Sequence, residues 1–228
     1  MKPLRHPREW LSATLLAGLF VMALAGALFV YLADEVGEQA SLARFDSAAA
    51  RFFHQYDAPW AVHLFEAITF FGNASTLAVL GAAVVLGLIL RRRWSLLLGW
   101  VAALGGAGVL NVFLKGIFRR LRPQLPEPWV MEPGWSFPSG HAMGSLVTYL
   151  FLVYVLIRAA AFPPRTTAAA LAVLVLMIGF SRIYLGAHYV SDVVGGYAAG
   201  AVWLTFCIVV TEETLRRSGL RALKDGPG

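Results

Sequence analysis

From Leu11 to Ala33 the chain runs without a single charged side chain. A helix rises about 1.5 Å per residue, so a run of this length spans the ~30 Å hydrocarbon core of a bilayer. It is too long for the apolar region of a secretion signal, and no A-x-A-like cleavage site with a polar sequence behind it follows. The run is therefore expected to be a first transmembrane helix, retained in the mature protein. Composition agrees: 14% of the residues are charged and 58% hydrophobic, whereas a soluble domain carries about 25% charged residues. A soluble helical domain with a large core is excluded on that count.

The expected fold class is all-α, an integral membrane bundle of six transmembrane helices plus an interfacial amphipathic helix. The spans fall at about 11–33, 73–90, 94–114, 139–160, 167–186 and 188–210, within one membrane-embedded domain over residues 1–228. Phe45 to His54 reads as the amphipathic helix lying at the interface. Pro59 and Trp60 start a short apolar helix feeding the second span, and the segments Pro123 to Pro138 and Pro163-Pro164 read as loops. Gly196 and Gly200 stand four apart, where they let a neighbouring helix approach closely. Gly105-Gly106-Ala107-Gly108 is a second stretch dense in small residues. The lone cysteine, Cys207, is read as a small buried apolar residue.

The net charge of +6 suggests anionic partners, but in a membrane chain topology explains cations first, because Lys and Arg collect in cytoplasmic loops. Lys2, Arg5 and Arg8, then Arg91, Arg92 and Arg93, then Arg158 and Arg165, then Arg216, Arg217, Arg221 and Lys224 all fall on one side of a six-span arrangement. The stretch after the first span is acidic, with Asp34, Glu35, Glu38, Asp46 and Asp57 against Arg44 and Arg51. Both termini are therefore expected to be cytoplasmic. Nucleic acid is not an expected partner, nor is an obligate protein; the bilayer is.

Three polar groups on the opposite side have no topological explanation. The first is Lys115, Arg119, Arg120 and Arg122, at the outer end of the third span; Arg forks match phosphate oxygens, although a patch on anionic lipid reads as well. The second is Pro138-Ser139-Gly140-His141, where Ser139 caps a helix whose free N–H groups point at an anion, or simply caps it beside an interfacial His. The third runs from Ser181-Arg182 to His188 and Asp192. On a helix His188 and Asp192 would share one face, and Asp192 would hold the imidazole in one tautomer for attack; a structural His–Asp pair is the plainer reading. His6, His54 and His63 are isolated, while Trp60, Trp129 and Trp135 are expected to anchor at the interface. No thiol or carboxylate cluster suggests a metal. In the six-span arrangement the three groups converge on one face, a geometry suited to phosphoryl transfer through a phosphohistidine.

These segments resemble the signature of the type 2 phosphatidic acid phosphatase superfamily: Lys, six residues, Arg-Pro; Pro-Ser-Gly-His; Ser-Arg, five residues, His, three residues, Asp. Every position is filled between Lys115 and Asp192. The resemblance implies a lipid phosphatase, a phosphoric monoester or anhydride hydrolase that needs no metal or other cofactor. It implies that His188 attacks phosphorus, Asp192 orients it, and His141 protonates the leaving oxygen and then activates water. Lys115, Arg122 and Arg182 would hold the phosphate oxygens with Ser139 and the Gly140 N–H. Arg119 and Arg120 lie outside the signature, and contact with a second phosphate or with lipid head groups are both open. Undecaprenyl pyrophosphate, phosphatidylglycerophosphate, phosphatidate and lipid A are the substrates the resemblance offers, met on the periplasmic face of an inner membrane. Vanadium-dependent haloperoxidases share the signature but are soluble, and six spans argue against them. A non-enzymatic protein that binds or transports anionic lipid is the other alternative.

Overall fold

The computed structural model describes residues 7–38, 42–55, 58–126, 129–130, 132–159 and 164–224. Lys2, Arg5, His6, Asp57 and Pro163, named in the sequence reading, lie outside the described residues. Among the described residues every regular element is a helix: α1 (Pro7–Glu38), α2 (Leu42–His54), α3 (Pro59–Phe70), α4 (Ala74–Leu90), α5 (Trp94–Phe118), α6 (Gly140–Arg158), α7 (Pro164–Tyr184) and α8 (Val190–Lys224).

Six helical stretches are long and apolar enough to cross a bilayer. The first is Leu15–Val36, within α1, the helix that also contains the expected span at about 11–33. The second, Pro59–Leu90, joins α3 and α4 across a turn at residues 71–73, so the expected feeder helix is part of the crossing itself. The chain is thus a multi-pass membrane protein. Its outer helices turn apolar side chains outward, such as Leu16, Phe20 and Leu24 of α1 and Val79 of α4. This is stable only against lipid tails, which are as apolar as these side chains.

With no water to squeeze out between spans, close contact must hold them together. α6 is the hub: half of its apolar window is buried, against 11% for α1. It crosses α8 where a Cβ on Gly196 would stand 2.6 Å from the Ser139 carbonyl oxygen, and one on Gly200 would stand 3.3 Å from that of Met143. The expected packing role of these two glycines holds. Trp100, Met143, Val147, Phe151 and the buried Cys207 fill the interior between α5, α6 and α8. The indole N–H groups of Trp100 and Trp203 donate to the Gly81 and Ala103 carbonyls, at 3.2 and 2.9 Å.

Two expectations need correction. α5 continues to Phe118, so Lys115 sits in its last turn rather than beyond it. α8 begins at Val190, so His188 precedes the helix that carries Asp192. The basic tail is a helical extension of α8, where Arg216 and Arg217 both bond the Glu213 carboxylate. Trp129, half-buried, stacks on Tyr184 at 5.6 Å and 13°, and Trp60 is exposed. The amphipathic helix α2 forms, exposing Phe45 and Phe52, yet it buries Asp46 completely.

Candidate active site

The three signature segments meet at one end of the bundle, each held there by local backbone chemistry. α5 stops where Arg119 adopts left-handed backbone (φ 44°), its N–H closing on the Lys115 carbonyl at 3.1 Å. The chain then doubles back over the helix end. Ser136 donates its N–H to Arg120 O at 2.8 Å and its hydroxyl to Leu121 O at 3.0 Å. Lys115 Nζ reaches Trp135 O at 2.8 Å, and Arg122 donates Nε to Gly134 O at 3.1 Å and Nη1 to Ala187 O at 2.8 Å. These bonds fix both cations in place; Lys115 keeps donor N–H groups to spare, whereas Arg122 also reaches Pro133 O and Trp135 O through Nη2.

At the start of α6, Ser139 caps the helix, its Oγ accepting from the Ala142 N–H at 3.5 Å. Its own N–H donates to Asp192 O at 2.9 Å, which ties the start of α6 to the start of α8. Gly140 packs against the Asn111 carboxamide, 3.1 Å from where its Cβ would stand. His141 Nε2 lies 2.8 Å from Asn73 Oδ1, in the α3–α4 turn.

α7 ends in a turn in which the N–H groups of Ala187 and His188 both reach Arg182 O, at 3.1 and 3.2 Å. His188 Nδ1 lies 3.4 Å from Asp192 Oδ2, and the same oxygen accepts the Tyr189 N–H at 2.9 Å. The pair is therefore held across a turn-to-helix junction, not along one helix face. Its other nitrogen, Nε2, faces Arg122 Nη1 at 3.3 Å. Arg182, 1% exposed, donates Nη1 to Thr69 Oγ1 at 2.8 Å. Its Nε is buried with no hydrogen-bond partner among the described residues.

An anion already sits among these cations. The Glu132 carboxylate bonds Arg182 Nη2, lies 3.3 Å from Arg122 Nη1 and stands 4.0 Å from His188 Nε2. Burial alone would raise the Glu132 carboxyl, but Arg182, the two imidazoles and Arg122 outweigh it and hold it below the ordinary carboxylate value. Burial likewise disfavours the charged imidazolium of His188, and Asp192 offsets this only in part, so His188 titrates below its ordinary value. A ring with Nδ1 on a carboxylate and Nε2 neutral among cations is chemically a nucleophile.

The eight expected site residues, Lys115, Arg122, Ser139, Gly140, His141, Arg182, His188 and Asp192, thus lie at one end of the bundle. Glu132, Thr69 and Asn73, which the sequence reading passed over, complete the arrangement, as do Asp46 and Arg120 behind Asp192, which it had given no part in the site or left open. Arg120 bridges Asp192 Oδ1 at 2.6 Å and Asp46 Oδ2 at 2.8 Å. Arg119 is exposed and bonds Gly116 O at 3.0 Å. A signal for Asp46 existed, since it shares the small-residue face of α2 with Ala50, four residues on; Glu132 had none. Among the described residues no group of three or more His, Cys, Asp and Glu side chains is placed to hold a metal ion. Beside His141 a cleft of about 520 Å³ runs between α4, α5 and α6, past Asn111 and Gly108 to Leu77, Leu104 and Thr148.

The comparisons with known proteins fit this geometry. The chain is 32% identical over 163 residues to phosphatidylglycerophosphatase B of Bacillus subtilis (strain 168), covering 70% of this chain and 79% of that one. It is 26% identical over 185 residues to a lipid A 4'-phosphatase of Bacteroides thetaiotaomicron, covering 73% and 78%. Its structure superposes on that of a transmembrane PAP2 type phosphatidylglycerolphosphate phosphatase from Bacillus subtilis with a TM-score of 0.78, at 27% identity over 85% of this chain and 97% of that one. The profile of the PAP2 superfamily matches residues 94–216, more than half of the sequence and the whole stretch from α5 to α8 that carries the signature, so the chain belongs to the PAP2 superfamily.

Proposed function

We propose that this protein is a lipid phosphatase that transfers the phosphoryl group of a membrane-held phosphate ester first to His188 and then to water. The observation that carries the reading is the buried imidazole of His188, its Nδ1 on Asp192 and its Nε2 facing Arg122 and, at 4.0 Å, the Glu132 carboxylate. In the first step Nε2 forms a bond to phosphorus as the phosphorus–oxygen bond to the lipid breaks, and His141 gives the departing oxygen its proton. In the second, His141 takes a proton from water, the hydroxide attacks phosphorus, and His188 leaves as neutral imidazole. Asp192 orients the ring and balances the positive charge that it gains on phosphorylation. Lys115, Arg122, Arg182 and the N–H groups at the start of α6 stabilise charge on the phosphoryl oxygens, and the phosphate takes the place of the Glu132 carboxylate.

The cleft beside His141 suits a substrate whose hydrocarbon tail stays in the bilayer. The names of the relatives point to phosphatidylglycerophosphate and to lipid A 4'-phosphate as first substrates to test, with phosphatidate and undecaprenyl pyrophosphate beside them. The positive-inside rule puts the site on the periplasmic face of the inner membrane. The test is phosphate release by purified protein in detergent with EDTA, wild type beside His188→Ala, over these lipids. Release by wild type alone supports the reading. Equal release by both refutes it, and binding of lipid without release by either favours a binding protein instead.

A further inference from the structure

Behind Asp192, on the side away from His188, lies a buried charge cluster that the phosphatase reading does not use. Arg120 donates Nη1 to Asp192 Oδ1 at 2.6 Å and to Ser191 Oγ at 2.7 Å, and Nη2 to Asp46 Oδ2 at 2.8 Å. Asp46, fully buried on α2, also accepts the Ser191 N–H at 3.1 Å and bonds its hydroxyl. The guanidinium lies 4.4 Å above the Tyr189 ring, so it is held from a third side. Asp192 thus has one oxygen on Arg120 and the other on His188 and the Tyr189 N–H.

We infer that Asp46 and Arg120 are positioning residues for the reaction, setting both the aim and the available charge of Asp192 toward His188. The argument is electrostatic. A buried Arg120 facing Asp192 alone would neutralise it and leave little attraction for a charged imidazole. Asp46 supplies a second carboxylate to the same guanidinium. With His188 neutral, the cluster of Asp46, Arg120 and Asp192 carries one net negative charge. When His188 bonds phosphorus the ring becomes a cation, and the four groups are balanced. Asp46 therefore leaves Asp192 free to stabilise the charged ring, and it does so from α2, an element outside the signature. Outer-shell partners of this kind typically cost about ten- to a hundredfold in activity when lost.

The inference rests on the phosphohistidine reading, so Asp46→Asn is assayed beside His188→Ala. Asp46→Asn keeps the size of the side chain and removes its charge. The expected result is a fall in kcat of about ten- to a hundredfold with KM little changed, and an acid limb of kcat/KM moved to lower pH. Arg120→Gln, which removes the competing cation, is expected to lower kcat and to move the limb the other way. A purely structural role would move neither limb. The other groups facing His188, namely Arg122 and Glu132 from the 119–139 segment, His141 from α6 and Arg182 from α7, are the same in every variant. If Asp46→Asn does not fold, Arg120→Lys decides: it keeps the charge but has no planar fork to bridge two carboxylates. An unchanged kcat and acid limb in folded Asp46→Asn, or an unchanged kcat in Arg120→Lys, overturns the inference. Activity in His188→Ala overturns instead the reading beneath it.

Discussion

Gly196→Ala places one methyl group where α8 touches α6, directly beneath the site. Its Cβ would stand 2.6 Å from the Ser139 carbonyl oxygen, 3.1 Å from the Ala142 Cβ and 3.4 Å from the Met143 nitrogen. Two of these are backbone atoms that no rotamer change can move. An ordinary carbon–oxygen contact is about 3.3 Å, so the helices must part by roughly 0.7 Å at this point. The Ser139 N–H to Asp192 O bond crosses the same seam and stretches with it. Overpacking of this kind costs about 1–3 kcal/mol. Because the Ser139 cap and Asp192 separate together, the start of α6 shifts relative to His188, and a displacement near 1 Å costs up to about a hundredfold in rate. Thermal unfolding in detergent and phosphate release by the same preparation read both effects. Gly87→Ala is the control for stability, since nothing lies within 4 Å of a Cβ there. If Gly196→Ala matches wild type in both unfolding temperature and kcat, the claim that this crossing aligns the site is refuted.

His188 must be neutral to attack, and its burial lowers the pH at which it takes up a proton; the acid limb of kcat/KM is therefore expected below the ordinary imidazole value of about 6.5, activity falling only as pH drops through that lowered value, and a limb at or above it contradicts the assignment. Glu132→Gln removes the carboxylate that competes for Arg122 and Arg182; inhibition by orthophosphate or vanadate is expected to strengthen by about tenfold or more, the range of one charge-assisted hydrogen bond, and unchanged inhibition refutes the competition. A thiol in place of the exposed Arg119, with Cys207 replaced by Ser, is expected to react with a membrane-impermeant maleimide on intact cells. Labelling only after permeabilisation reverses the proposed orientation.

The membrane class and all six crossings were legible in the sequence because length and absence of charge are local properties. The signature residues were legible for a similar reason, as each segment carries its own spacing. Boundaries were less so: no cap residue marks the end of α5, where Arg119 in a left-handed conformation stops the helix after Phe118. The His188–Asp192 pair was read in the right partnership but on the wrong element, since spacing by four serves a helix and a turn before a helix alike. Asp46 was counted as one acidic charge of an outer loop. Its burial depends on Arg120, 74 positions away, and one sequence does not show which distant partner a charge has. Glu132 is the same case, lying 50 positions from Arg182.

Glu132 also bears on which molecules this protein can turn over. A carboxylate tethered to the chain competes for the cations at an effective concentration set by its linker, in the millimolar range for short flexible ones. A free anion at micromolar concentration would lose that contest, including orthophosphate released by the proposed reaction. A lipid has its own tether: its tail confines the head group to a thin layer at the membrane surface, which raises its local concentration without any added contact. Under the proposed function, dilute soluble phosphates would be turned away by competition rather than by shape, and the released phosphate would be displaced as Glu132 returned to Arg182.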